Sequence, residues 1–224
     1  MLHHALAALA LVAVMATGAG ASSADTDAML DADVRHRVER GETVIERRAV
    51  PGFPWPEIIA YRRTAATPAE VMALYADVAR QREWVPDLVV SRVLRREAPD
   101  VFRVFYEYEI AGPNERYTVT LTVTRESGGW VARWALLTAR YARRLEGALR
   151  VTPLGDGALI AYTSRVDPGS LGATFGTPES VARNLARTTD ALASRVEALR
   201  RTAPDRLRML VEHLRAMTTS GVAG

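Results

Sequence analysis

The stretch from Thr67 to Trp84, TPAEVMALYADVARQREW, most narrows what this chain can fold into. It opens with a capping hydroxyl at Thr67, Pro68 at the first helical position and Glu70 placed to reach back to the cap amide. Val71, Leu74, Tyr75 and Val78 then recur at i, i+3, i+4 and i+7, which predicts one buried helical face. A second short turn is expected before Pro86. Beyond it the chain is strand pattern almost to residue 166.

Two strands are expected ahead of this helix, Glu42–Val50 and Glu57–Ala65, joined by the rigid Pro51-Gly52-Phe53-Pro54-Trp55-Pro56. Strand-like stretches follow at Leu88–Arg96, Val101–Ile110, Glu115–Arg125, Trp130–Leu137, Arg143–Thr152 and Ala158–Val166. Turn chemistry separates them, as in Gly112-Pro113-Asn114 and Ser127-Gly128-Gly129. Phe102, Val104, Tyr106, Tyr108 and Ile110 alternate with Arg103, Glu107 and Glu109; Tyr117, Val119, Leu121 and Val123 alternate with a threonine row. One dry and one wet face predict an antiparallel sheet covered on one side. The cover is a helix from Pro178 to about Arg201, capped by Thr177, with Val181, Leu185, Leu192, Val196 and Leu199 in its stripe. At 1.5 Å per residue it runs roughly 35 Å, enough to cross a sheet. Pro204 starts a second amphipathic helix carrying Leu207, Leu210, Val211, Leu214 and Met217 on one side.

Composition excludes several chemistries. There is no Cys among the 224 residues, which removes disulfides and thiolate catalysis. Away from the leader, His36 and His213 are far apart and begin no ligand spacing, so no metal site and no cofactor are expected. All 29 basic residues are Arg, but they alternate with acids and the net charge is only +3, so no nucleic-acid partner is expected.

The N-terminus reads as an export signal. Residues 5–16 are apolar and are followed by small residues with an A-x-A step at Ala19-Gly20-Ala21. The run is shorter than the ~20 residues a membrane span needs. The expected organisation is a signal peptide at 1–24, a lead at 25–41 that is a short helix or an irregular segment, a core domain at 42–201, and a terminal helix and tail at 202–224. A secreted or periplasmic location follows.

This order of elements resembles the START-like, helix-grip superfamily, also called SRPBCC, which includes lipid-transfer domains and polyketide cyclase-like proteins. The phrases carrying the resemblance are A-T-P-A-E-V at 66–71, A-D-V-A at 76–79, W-V-P at 84–86 and V-D-P-G at 166–169. It spans about Glu42 to Arg201. The resemblance implies an α+β fold, a curved antiparallel sheet of about seven strands wrapped on a long helix, enclosing a cavity for a hydrophobic small molecule or lipid.

Tyr106, Tyr108, Tyr117, Tyr162, Trp130 and Trp134 fall on the inward face, either lining that cavity or filling an ordinary core. Arg116 in the Gly112–Tyr117 turn is a candidate ligand contact or else a rim charge, and Arg140 in the Arg-rich Ala139–Arg144 connection is a candidate to clamp an anionic head group. Val166–Gly176, with Gly169, Gly172 and Gly176, reads as a flap or a simple linker. No catalytic acid or base stands out. Three roles stay open: a carrier, an enzyme of the cyclase or aromatase kind, and a subunit whose last helix docks on a partner or a membrane surface. Sequencing the N-terminus of protein recovered from its own host is expected to read from between Ser22 and Asp25; an intact Met1 in the soluble fraction overturns the leader.

Overall fold

Thr67 caps the first internal helix as its spacing requires. In the computed structural model, which describes residues 30–110 and 112–219, the Thr67 side chain accepts from the Glu70 amide and the Glu70 carboxylate accepts from the Thr67 amide at 2.7 Å. The helix spans Pro68–Ala76 and is followed by a 3-10 turn at Val78–Glu83. It is the second helix, α2. The first, α1 (Ala32–Glu39), lies in the lead segment, with Asp31 as its cap. The leader and residues 25–29 lie outside the described residues.

The strands are β1 (Val44–Arg48), β2 (Glu57–Thr64), β3 (Leu88–Ala98), β4 (Val101–Ile110), β5 (Gly112–Glu126), β6 (Gly129–Ala139), β7 (Arg144–Leu154) and β8 (Gly157–Asp167). They form one antiparallel sheet in the order β1-β2-β8-β7-β6-β5-β4-β3. There are eight strands rather than about seven. The short β1 keeps full register with β2, Val44 opposite Tyr61 and Arg48 opposite Glu57, and so joins the sheet as an edge.

After β8 the chain makes a short helix α3 (Gly169–Phe175), then the long α4 (Pro178–Thr202) and α5 (Pro204–Thr219). The Val166–Gly176 segment is thus partly helical, and no residue of α3 is buried. Thr177 caps α4 by accepting from the Ser180 amide at 3.2 Å. The buried stripe of α4, from Leu185 through Leu192 and Val196 to Leu199, lies in the concave face against β2, β8 and α2. The α5 helix packs Leu207, Leu214 and Met217 onto α2 and closes the same end of the sheet. The α1 helix lies on the convex face, where Val34 and Val38 meet Val44, Ile59, Tyr61 and Leu159. No helix among the described residues is long and apolar enough to cross a membrane.

Packing changes along the strands. At one end the inward residues Val104, Val119, Val123, Ala132, Leu149, Val151 and Ile160 are completely shielded, sealed by α2 and α5. At the other end Tyr108, Tyr117, Trp134, Leu136, Leu145 and Tyr162 keep accessible surface though they face the same way. The sheet opens at that end. Truncating Leu192, wholly buried, or Leu185, 6% exposed, to Ala is expected to cost about 2–5 kcal/mol in chemical denaturation. Near-neutral values for both would remove α4 from the sheet.

Candidate functional site

The half-buried end of the concave face is an aromatic chamber. Strand alternation brings Tyr106 and Tyr108 from β4, Tyr117 from β5, Trp134 from β6 and Tyr162 from β8 to one surface, and α2 adds Tyr75. Tyr108 and Tyr117 stack with centroids 5.8 Å apart at 11°. Trp134 meets Tyr162 edge-on at 5.3 Å, and Tyr162 meets Tyr75 the same way at 6.2 Å. The indole is accommodated because residue 147 on β7 is Gly: a Cβ there would overlap the ring and the Thr163 carbonyl. Gln81, 3% exposed, donates to the Tyr75 carbonyl at 2.7 Å and its amide also faces the Tyr106 hydroxyl.

The space these residues enclose is about 30 Å³, room for about one water. Burial is the main cause that lifts the hydroxyls of Tyr75, Tyr106, Tyr108 and Tyr117 well above the ordinary phenol value, and it pushes Tyr162 up to about 12. The Tyr75–Tyr162 and Tyr108–Tyr117 hydroxyls face one another, and the nearby Asp87 carboxylate further disfavours a phenolate at Tyr108. These groups are neutral donors and acceptors near pH 7. Among the described residues, no carboxylate or imidazole lines the chamber.

The rim is built by loops. Phe175 of α3 lies 5.4 Å from the Tyr141 ring and covers the start of β5, where a Cβ at Gly112 would sit 2.7 Å from it; Gly112-Pro113-Asn114, expected as a turn, belongs to that strand. Arg144 stacks over Phe53 at 4.0 Å and donates to the Gly52 carbonyl. Glu115 accepts from the amides of Arg140 and Tyr141 at 3.1 and 3.3 Å; burial raises its carboxyl against the pull of those amides. Across the chamber Asp87, with φ of 60°, holds α4 through Arg187 at 2.8 and 3.3 Å and Asn184 at 3.4 Å.

Of the residues singled out from the sequence, Tyr106, Tyr108, Tyr117, Trp134 and Tyr162 converge on the chamber. Trp130 lies at the sealed end of the core. Arg116 pairs with Glu107 at 3.1 Å, and Arg140 donates to the Asn114 carbonyl at 3.3 Å and lies over Tyr141. Neither lines the chamber. Tyr75 and Gln81 were not singled out. Tyr75 was legible only as part of a helical stripe, and Gln81 carries no pattern at all.

A larger concavity, about 640 Å³, lies on the convex face beside Leu30, Ile59 and Tyr61. Its charges satisfy one another: Arg165 binds Glu57 at 2.6 Å and Glu146 at 3.2 Å, while Arg133 and Arg150 share Glu126 at 2.6 and 3.1 Å. It is an open groove with its charged side chains already paired, Arg48 with Glu46 included. The chamber gathers polar groups away from solvent and is the better candidate for recognition.

A curved antiparallel sheet closed on a long C-terminal helix defines the START-like helix-grip class. Residues 60–197 match the polyketide cyclase / dehydrase and lipid transport family, and the chain belongs to it. The fold is similar to a STAR-related lipid transfer protein fragment from Xanthomonas axonopodis, with TM-score 0.59 and 20% identity over 69% of this chain and 98% of that one. It is also similar to the Zhui aromatase/cyclase from Streptomyces sp. R1128, with TM-score 0.57 and 20% identity over 66% and 96%. Human StAR-related lipid transfer protein 5 gives TM-score 0.54 and 12% identity over 80% and 98%. At such identities the likeness is one of fold. No curated protein sequence matches the chain.

The chamber tyrosines make stability pH-dependent. A phenol whose folded value is raised adds stability that is full below the unfolded value of about 10 and is lost as pH climbs through the folded value. Stability is therefore expected to fall from about pH 10 upward, and to keep falling toward the value of about 12 to which burial pushes Tyr162. In an ultraviolet titration most of the phenolate signal should be missing at about pH 11 until the protein unfolds. Ordinary ionisation of all seven tyrosines in the native state would contradict the burial of the chamber.

Proposed function

We propose that this protein is an exported carrier that binds a hydrophobic small molecule or lipid in the chamber between the sheet and α4. The observation that carries the reading is the change of lining along one concave face. Aliphatic side chains close one end without residue, while aromatic rings with inward hydroxyls leave the other end partly accessible. A plain core does not need five phenols and a buried glutamine facing one another.

The chamber as it stands is a closed state. A drug-sized ligand needs a site of about 300–1,000 Å³, against about 30 Å³ here. Binding therefore requires the rim to move. The element with least to lose is α3, with no buried residue, Leu171 62% exposed, and Phe175 seated on Tyr141 and Gly112. The enzymatic alternative draws on the cyclases of the same family and needs a proton acceptor beside the ligand. The phenols lining the chamber are poor acceptors because burial keeps them protonated.

Titration with the neutral fluorophore N-phenyl-1-naphthylamine is expected to show saturable binding. Phe175→Ala should accelerate association several-fold with little change in melting temperature. Tyr117→Trp should lower capacity by filling the space. Absence of saturable binding to any apolar probe would end the carrier reading, and a chemically altered ligand after incubation would favour catalysis.

A further inference from the structure

We infer that the chamber selects uncharged, ring-containing ligands that carry a hydroxyl or carbonyl group, and rejects carboxylates and other anions. The inference rests on the reading of the chamber as the ligand site and narrows the class of molecule it takes.

The lining provides polar atoms without any formal charge. Its hydrogen-bonding side chains are the phenols, the Gln81 amide and the Trp134 indole. Each hydroxyl both donates and accepts, so a ligand hydroxyl, ketone or quinone oxygen finds a partner in either sense. A carboxylate would have to shed its hydration without a cation to meet it, which is costly in a site screened from water. The rim arginines do not supply that cation: Arg187 is paired with Asp87, and Arg144 lies over Phe53 and donates to the Gly52 carbonyl. Arg116 is held by Glu107 on the other face of the sheet, and Arg140 lies on the rim against the Asn114 carbonyl and the Tyr141 ring. Two carboxylates border the chamber at the rim, where Asp87 disfavours a phenolate at Tyr108 and Glu115 sits opposite Tyr108 in the β4–β5 register. Burial disfavours a phenolate at every one of the chamber positions, and the same loss of hydration would be met by a carboxylate placed there.

Shape adds the ring. Tyr108 and Tyr117 lie nearly parallel, and Trp134 and Tyr162 set a second pair of planes at 81° to one another. Flat walls favour flat ligands, through offset stacking and edge-on contact. Polar selectivity comes from the same groups. A ligand with no oxygen leaves buried hydroxyls unpartnered, and sites of that kind reject the analogue lacking the group more strongly than hydrophobic pockets reject a missing methylene.

The test compares three molecules that share one ring system, 2-naphthol, naphthalene and 2-naphthoate, by isothermal titration calorimetry on the full chain at pH 7. The expected order is 2-naphthol first, naphthalene at least fivefold weaker and 2-naphthoate at least tenfold weaker. Lowering the pH toward about 4, where a carboxylic acid loses its charge, should recover naphthoate binding. Tyr108→Phe and Tyr117→Phe together should weaken 2-naphthol at least fivefold and leave naphthalene nearly unchanged, which places the effect in the chamber. Naphthoate binding as tightly as naphthol, naphthalene matching naphthol, or naphthol indifferent to both substitutions overturns the selectivity and leaves the carrier reading intact. If none of the three binds and N-phenyl-1-naphthylamine also fails, the carrier reading itself falls.

Discussion

The seating of α4 in the concave face of the sheet is the contact on which the rest depends. Leu192 and Val196 are wholly excluded from solvent there, and the helix reaches from the rim at Thr177 to the sealed end at Ala203. Its far end is fixed by polar contacts as well. Glu197 accepts from the Thr64 hydroxyl at 2.8 Å and the Ala65 amide at 3.0 Å, and Arg200 pairs with Glu70 of the α2 capping box at 3.5 Å. The N-terminal half has no comparable anchorage to β3–β5; it meets that side through Asp87, with Arg187 and Asn184. The helix is thus packed on β2 in both halves, Ala182 and Leu185 meeting Ile58 and Ala60, while its N-terminal half meets the β3 side through exposed polar groups. Exposed ion pairs are individually weak, about 0–1 kcal/mol, so the rim is the end that can open without dismantling the core.

Most of this architecture could be read from the residues because it follows from periodicity. Alternation in VFRVFYEYEI put Tyr106 and Tyr108 on the inner face, and the same alternation placed Tyr117; the structure pairs Tyr106 with Tyr117 across the strands. The capping box at Thr67–Glu70 is local and therefore legible. What escaped is non-local. Glu115 binding the Arg140 and Tyr141 amides joins residues about twenty-five apart, and only the closed sheet brings them together. Gln81 takes its meaning from the carbonyl of Tyr75 after a 3-10 turn that no apolar pattern marks. The convex-face packing of α1 escaped as well, because Val34 and Val38 make too short a stripe to say which surface they would cover.

The two concavities contrast in a way that volume alone obscures. The convex groove is some twenty times larger than the chamber (about 640 against about 30 Å³) yet its arginines are matched by Glu57, Glu146 and Glu126. Salt bridges that already complete one another have little to offer a ligand beyond what water offers. In the chamber the rings meet mostly each other, and their hydroxyls are shared in pairs rather than saturated. Polar groups held out of water in a low-dielectric space recognise more sharply than exposed ones, because a mismatch leaves them unpartnered.

Closure and selectivity then share one cause. The rings that shrink the empty chamber to about 30 Å³ are the rings that would flank a ligand, so opening exchanges ring–ring contact for ring–ligand contact. Such an exchange costs little dispersion energy when the ligand is itself flat, and little hydrogen-bonding energy when it carries an oxygen in place of a neighbouring phenol. An aliphatic ligand recovers the first only in part and the second not at all. An anion recovers neither the hydration it lost nor a counterion. The same tyrosines therefore keep the protein compact when empty and define the kind of molecule worth opening for.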